Sequence, residues 1–235
     1  MHRQALDLAV SRGFALSRHG FIDGLSGWPN DLMTKYWKTN QLIAESNWSY
    51  DQVKDQGSHG SMKEHVDAFA RWHSAFAHMY LHAASYRRAM REDRAEFERA
   101  LKPGGVGYRL VPVTLTWRRS VAAGGVVVLR QEWVNRNSSF CPRRFPLRLE
   151  LVGADGRAAF SAVDGDIHQE GWIAGPVYPV SSAFRLPEDL KPGAYDLRIA
   201  LVDEQGQPRV KLGIEGADSE SRYRLGTLRI TPPGR

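Results

Sequence analysis

One cysteine, Cys141, stands in 235 residues. A lone thiol excludes an internal disulfide framework and any zinc or iron–sulfur site built from several cysteines of one chain, so stability must come from packing. Long apolar runs are missing too: no stretch approaches the roughly 18 uncharged apolar residues of a membrane-spanning helix, and no membrane partner is expected. Met1 to Val10 lacks the basic-then-apolar order of a secretory signal, so this segment is not expected to direct export. The net charge of +6 raises the question of a nucleic-acid partner, but a concentrated basic face is absent. Residues 1–102 carry 14 Lys/Arg against 12 Asp/Glu, and residues 103–235 carry 18 against 14. The densest basic stretch, Arg87 to Arg99, interleaves Glu92, Asp93, Glu96 and Glu98 at helical spacing. That pattern describes a solvated helix face rather than a phosphate track, and no nucleic acid is expected.

Familiar catalytic motifs are absent as well. There is no Gly-x-Ser-x-Gly elbow, phosphate loop or Gly-x-Gly-x-x-Gly, and Gly104-Gly105-Val106-Gly107 precedes a strand pattern instead of a helix. The histidine pairs His59/His65, His73/His78 and His78/His82 reproduce no metal-ligand spacing, so neither metal nor cofactor is expected. Asn47-Trp48-Ser49 and Asn137-Ser138-Ser139 match the glycosylation triplet, which matters only for an exported eukaryotic chain.

What is present is the composition of a globular chain, 42% hydrophobic and 25% charged. Its character changes at Lys102-Pro103-Gly104-Gly105, a helix stop followed by a joint, giving expected domains 1–103 and 104–235. Beyond the joint run short alternating segments: Tyr108 to Trp117, Val126 to Asn135, Leu147 to Val152, Tyr195 to Val202, Arg209 to Glu215 and Tyr223 to Ile230. Weaker candidates lie at Gly171 to Ile173 and Ser182 to Leu186. Turn chemistry such as Ala154-Asp155-Gly156 separates them, and an antiparallel β-sandwich of immunoglobulin-like size is the expectation. Before the joint, helices (Arg3 to Arg12, Met62 to Ala75, Tyr86 to Leu101) alternate with apolar runs (Gly13 to His19, Gln41 to Ser46, His78 to Ala83). Alternation of this kind specifies parallel strands with helical crossovers. Three units are too few for a closed (β/α)8 barrel, so the expected fold class is α/β plus all-β: the last three strand–helix units of a barrel, followed by the sandwich. The alternative is a small three-stranded α/β unit.

On that expectation, chemistry belongs on loops at the C-terminal ends of strands. Arg18, His19 and Asp23 follow the first run, Glu45, Asn47 and Trp48 the second, and His82 and Ser85 the third. Glu45 is the most informative, because a period of two places it on one face with Ile43 and Gln41, where a carboxylate is costly unless paired or used. Glycosidic bond hydrolysis uses such a group as nucleophile with a second carboxyl as acid; an ion pair with Arg18 is the structural alternative. Trp28, Tyr36, Trp37, Trp48 and Tyr50 offer rings that suit the apolar face of a sugar, or that simply pack the loops. His82, at a strand end, is a candidate to donate to a hydroxyl.

Gly13-Phe14-Ala15-Leu16-Ser17-Arg18-His19-Gly20, Leu42-Ile43-Ala44-Glu45, Tyr80-Leu81-His82, Gly107-Tyr108-Arg109-Leu110, Trp133-Val134-Asn135 and Leu190-Lys191-Pro192-Gly193-Ala194-Tyr195-Asp196-Leu197 together make the chain resemble the C-terminal part of β-galactosidase-like barrel proteins. In these a (β/α)8 barrel is followed by a β-sandwich domain. The resemblance implies that the three strands are the sixth, seventh and eighth of the barrel, and that Glu45 holds the nucleophile position of retaining glycosidases. The acid/base Glu would sit on a fourth strand this chain does not contain. The family pattern also has an acidic residue near His19, where this sequence departs from it. The resemblance thus implies a glycoside-hydrolase-like fragment, inactive without a missing N-terminal barrel half, with carbohydrate as its partner. The competing reading is a non-catalytic carbohydrate-binding or protein-interaction module.

Overall fold

The structure, a computed structural model, describes residues 2–19, 35–56, 60–80 and 83–233. They divide between two compact units. The first runs to Arg109 and includes Asn135–Pro142 and Gly171–Gly175; the second comprises Leu110–Val134, Arg143–Glu170 and the chain from Pro176.

The first unit contains α1 (His2–Ser11), β1 (Leu16–His19), β2 (Leu42–Ser49), α2 (Tyr50–Gln56), α3 (Met62–Arg71), β3 (Ser74–Tyr80), α4 (Ala83–Glu92) and α5 (Arg94–Leu101). The three strands pair in parallel in the order β1-β2-β3. Parallel neighbours need a crossover, and between β2 and β3 the helices α2 and α3 supply it. Leu16, Leu42 and Ala44 bury one face of the sheet with Ala68 and Phe69 of α3. A second cluster of Tyr50, Val53, Met62 and Ala89 ties α2 to α3 and α4.

Helix α3 starts on a capping box: the Ser61 amide donates to Glu64 Oε2 at 2.7 Å, and the Glu64 amide donates back to Ser61 Oγ at 3.3 Å. It stops at a residue that gives no warning. His73 takes the left-handed conformation, φ 54°, that glycine usually supplies at a helix C-terminus, and β3 opens at the next residue. Without a Gly or Pro to mark the stop, the expected helix Met62 to Ala75 runs four residues long and the expected strand at His78 begins four residues late. His73 is held there by stacking on Trp37, with centroids 3.5 Å apart and planes 7° apart, and by Nδ1–H donating to the Ser138 carbonyl at 2.6 Å. The expected single helix Tyr86 to Leu101 is two helices, because Asp93 (φ −129°, ψ 21°) leaves helical geometry between them.

These elements overturn the partial-barrel expectation. The described residues are mostly β, 40% strand against 21% helix, and nine of the twelve strands lie outside the parallel sheet. Strand–helix alternation fixes parallel pairing and its crossovers, but closure needs eight strands with matched tilt and shear. Among the described residues the all-parallel sheet has three strands.

The second unit is a β-sandwich. One sheet orders β4 (Leu110–Thr116), β6 (Val126–Asn135) and β9 (Val177–Arg185). The other orders β5 (Ser120–Ala122), β12 (Tyr223–Thr231), β10 (Gly193–Val202), β7 (Leu147–Val152) and β8 (Ala158–Asp164), with β11 (Pro208–Val210) beside β10. Burial along β6 alternates strictly over its first eight residues, putting Val127, Leu129, Gln131 and Trp133 inside. Buried Gln131 is satisfied: its Nε2 donates to Ser182 Oγ at 2.9 Å and its Oε1 accepts from Trp133 Nε1 at 3.0 Å. The Tyr195 hydroxyl donates back to the Lys191 carbonyl at 2.8 Å, so the Leu190 to Leu197 motif forms a tyrosine corner at the entry to β10. Ala158–Asp164 was not expected as a strand. It is an edge strand without a fully buried residue, so its sequence carries little hydrophobic alternation. Gly171 to Ile173 is not a strand, and the expected strand Arg209 to Glu215 shortens to β11.

Candidate functional site

Glu45 sits on the last regular rung of both ladders in the parallel sheet. Its Cα lies opposite His19 of β1 and opposite His78 of β3, and the β2–β3 register breaks between Glu45 and Ser49. Backbone irregularity at a strand end re-aims side chains and is common beside functional sites. Residues in register share a face in parallel strands, so Ile43 and Glu45 lie with Phe76 and His78, opposite the buried face of Leu42 and Ala44. That face is open at β3, where Phe76 is 64% exposed. A parallel sheet normally buries both faces, so a ring this exposed is unusual on one.

The Glu45 side chain is 14% exposed and its Oε1 lies 3.2 Å from Nδ1 of His78, a half-exposed ring. A carboxylate only accepts, so His78 donates. Partial burial penalises a bare carboxylate, and the imidazole N–H offsets part of that cost. Chemically, such a pair can accept hydrogen bonds from hydroxyls or relay a proton.

Of the other sequence-derived site residues, Arg18 and His19 close β1, and Asn47 and Trp48 lie in the irregular end of β2. Asp23, Trp28 and His82 lie outside the described residues. Ser85 is buried on α4 and its hydroxyl donates to Asp51. Three of the rings considered for sugar stacking are used elsewhere: Tyr36 is in the core, Trp37 stacks on His73, and Tyr50 is fully buried with its hydroxyl donating to Asp93 Oδ2 at 2.6 Å. The Asn137 of one glycosylation triplet is buried and donates to the Val106 carbonyl at 2.9 Å. Among the described residues no group of three His, Cys, Asp or Glu stands close enough to hold a metal ion. Two residues were missed. His78, discounted on metal spacing, is the partner of Glu45, and Phe76 is the exposed ring of that face. The signal was the segment Phe76-Ala77-His78 in register with Ile43-Ala44-Glu45, visible only once β3 is known to begin at Ser74.

No family model matches the chain, and no curated protein matches it. Several solved structures match parts of the chain. The CARDB domain of a Pyrococcus furiosus protein, solved with di-metal ions, is 9% identical over 53% of this chain and 94% of its own, at a TM-score of 0.30. The C-terminal domain of wzt is 14% identical over 57% of this chain and 74% of its own, at 0.31. The Pseudomonas fluorescens alkylpurine DNA glycosylase AlkC, bound to DNA containing an abasic site analog, is 10% identical over 90% of this chain and 46% of its own, at 0.33. Likeness this slight assigns neither an activity nor a ligand.

Proposed function

We propose that the first unit binds carbohydrate, without cleaving it, on the open face of its parallel sheet at Glu45. The observation that carries this reading is the Glu45–His78 pair beside the exposed ring of Phe76. A carboxylate accepts from two neighbouring hydroxyls at once, and a flat ring covers the apolar side of a pyranose. Among the described residues the group paired with Glu45 is an imidazole, whereas double displacement needs a second carboxyl about 5–5.5 Å away, so binding is the reading proposed. His78 donates to Glu45 and so fixes the carboxylate's orientation.

A glycan array followed by titration calorimetry on the best hit tests the reading. Glu45→Gln should weaken the sugar about tenfold, and Phe76→Ala about fivefold, the value of one ring contact near 1 kcal/mol. Aryl glycosides should remain uncleaved by the wild-type chain. Unchanged affinity in both variants, or turnover that Glu45→Gln abolishes, defeats the proposal.

A further inference from the structure

The sandwich sheet β4-β6-β9 buries one face in its core and turns the other outward. On the outward face the β6–β9 register sets Val128 beside Ala183, Arg130 beside Ser181, Glu132 beside Pro179 and Val134 beside Val177. Val128 is 41% and Val177 54% exposed. The free face of an antiparallel sheet is normally polar, yet five of these eight positions are apolar, a bias that marks interaction surfaces. The polar middle of the face is a groove of about 370 Å³ lined by Arg130 and Glu132, with Thr114 and Thr116 of β4 along one side. Among the described residues neither charge has an ion pair or a side-chain hydrogen bond. We propose that this face receives a second copy of the chain, stacked face to face as a two-fold dimer.

The order of residues along the face selects that occupant. Arg130 and Glu132 stand about 6.7 Å apart along β6, one on either side of Gln131, whose own side chain points inward. A two-fold axis lying between two such faces and crossing β6 at Gln131 runs β6 antiparallel to its copy. Arg130 then lies over Glu132 of the copy, and Glu132 over Arg130. The same axis crosses β9 at Val180, the register partner of Gln131. Val128 therefore meets Val134, Ala183 meets Val177 and Ser181 meets Pro179. Every charge faces its opposite and the apolar ends face apolar ends, which is the self-complementarity that an isologous contact requires. Aligned sheets stack about 10 Å apart at about 30°, so strand-on-strand stacking is a normal geometry. A foreign partner has no reason to repeat this order, whereas a second copy repeats it by symmetry. Three strands at about 4.8 Å spacing and about 30 Å length give roughly 400 Å² per copy, half a standard interface, so the dimer is weak, with a Kd on the order of 100 µM. The face belongs wholly to the second unit, and its variants leave Glu45 and His78 untouched.

Sedimentation equilibrium of the full chain over about 10 µM to 1 mM, a span that brackets that Kd, tests the proposal. Wild type should pass from monomer to dimer. Arg130→Glu and Glu132→Arg, both at exposed positions and checked for an unchanged circular-dichroism melt, each set like charges across the axis and should weaken self-association at least about tenfold. Mixing the two variant chains should restore a dimer, because one then presents two carboxylates and the other two guanidiniums. The double variant, in which the charges are exchanged, should self-associate as wild type does. A monomer throughout the range, a dimer indifferent to both reversals, or no association on mixing overturns the proposal. A glycan that binds a monomeric wild type and is lost in Arg130→Glu overturns it in favour of a small ligand in the groove.

Discussion

Asn135 offers the sharpest test of how the first unit is held. It is 2% exposed, and its amide group makes four hydrogen bonds to backbone. Oδ1 accepts from the Arg109 amide at 2.9 Å and the Asn137 amide at 3.1 Å; Nδ2 donates to the Ser139 carbonyl at 2.5 Å and the Trp172 carbonyl at 2.9 Å. One side chain thus joins three stretches of chain that lie far apart in sequence. Asn135→Ala removes all four bonds and leaves their backbone partners behind. At about 1 kcal/mol each the loss is about 4 kcal/mol, less whatever an entering water restores, so a net cost of about 3 kcal/mol is expected. For a chain of this size that lowers the melting temperature by about 6–12 °C. Urea denaturation followed by circular dichroism, with matched m-values, measures it. Asn135→Asp sharpens the reasoning: the two amide donors keep their acceptor, while a carboxylate now faces two carbonyls. Burial and those carbonyls raise its folded-state pKa, so the variant should gain stability as pH falls and lose it as pH rises through that value. A cost below about 1 kcal/mol for Asn135→Ala, or no pH dependence in Asn135→Asp beyond that of wild type, would refute the hub.

Two further outcomes follow from single contacts. Tyr50→Phe keeps a fully buried ring but removes the donor to Asp93, whose remaining partner is Lys54 at 2.9 Å; the chain should lose about 1 kcal/mol in a urea midpoint series. Burial, and then the bond to Asp93, push the Tyr50 hydroxyl pKa above its usual value, so no phenolate absorbance from this ring should appear at the pH where exposed tyrosines ionise. His73 has its pKa lowered by burial, against the opposing pull of the Ser138 carbonyl. The unfolded chain therefore takes up the proton first: stability is full above about pH 6.5 and declines as pH falls from there toward the folded-state value. Comparison with His73→Asn, a residue that tolerates the same backbone conformation, should show that portion of the decline missing. An identical pH profile in the two chains would count against it.

Legibility differed between the units for a physical reason. A strand with one face in a sandwich core announces itself by alternation, so Val126–Asn135 and Leu147–Val152 could be bounded to the residue. Strands outside that regime were invisible: β8 has no fully buried residue, and β5 is three residues long. In the first unit, alternation of strand and helix correctly implied parallel pairing, but the same signal serves any right-handed crossover and cannot count strands that are absent. Extending it to a barrel was the error.

The site was half legible for a related reason. Glu45 could be singled out because a carboxylate ending an apolar run demands an explanation from its own sequence neighbours. Its partner could not, because the rung that brings His78 to it is set by where β3 starts, and that depends on a histidine occupying a conformation normally left to glycine. His73 tolerates it only because Trp37 and the Ser138 carbonyl receive the ring, from segments 36 residues before and 65 residues after it. Releasing that hold should let α3 extend and slide Phe76 and His78 off the rung of Ile43 and Glu45. A one-residue slip flips a strand's side chains to the other face, so the chemistry of the open face depends on a helix stop remote from it. Trp37→Ala should therefore weaken whatever binds at Glu45 while leaving the sandwich's melting unchanged, and equal sugar affinity in that variant would break the link.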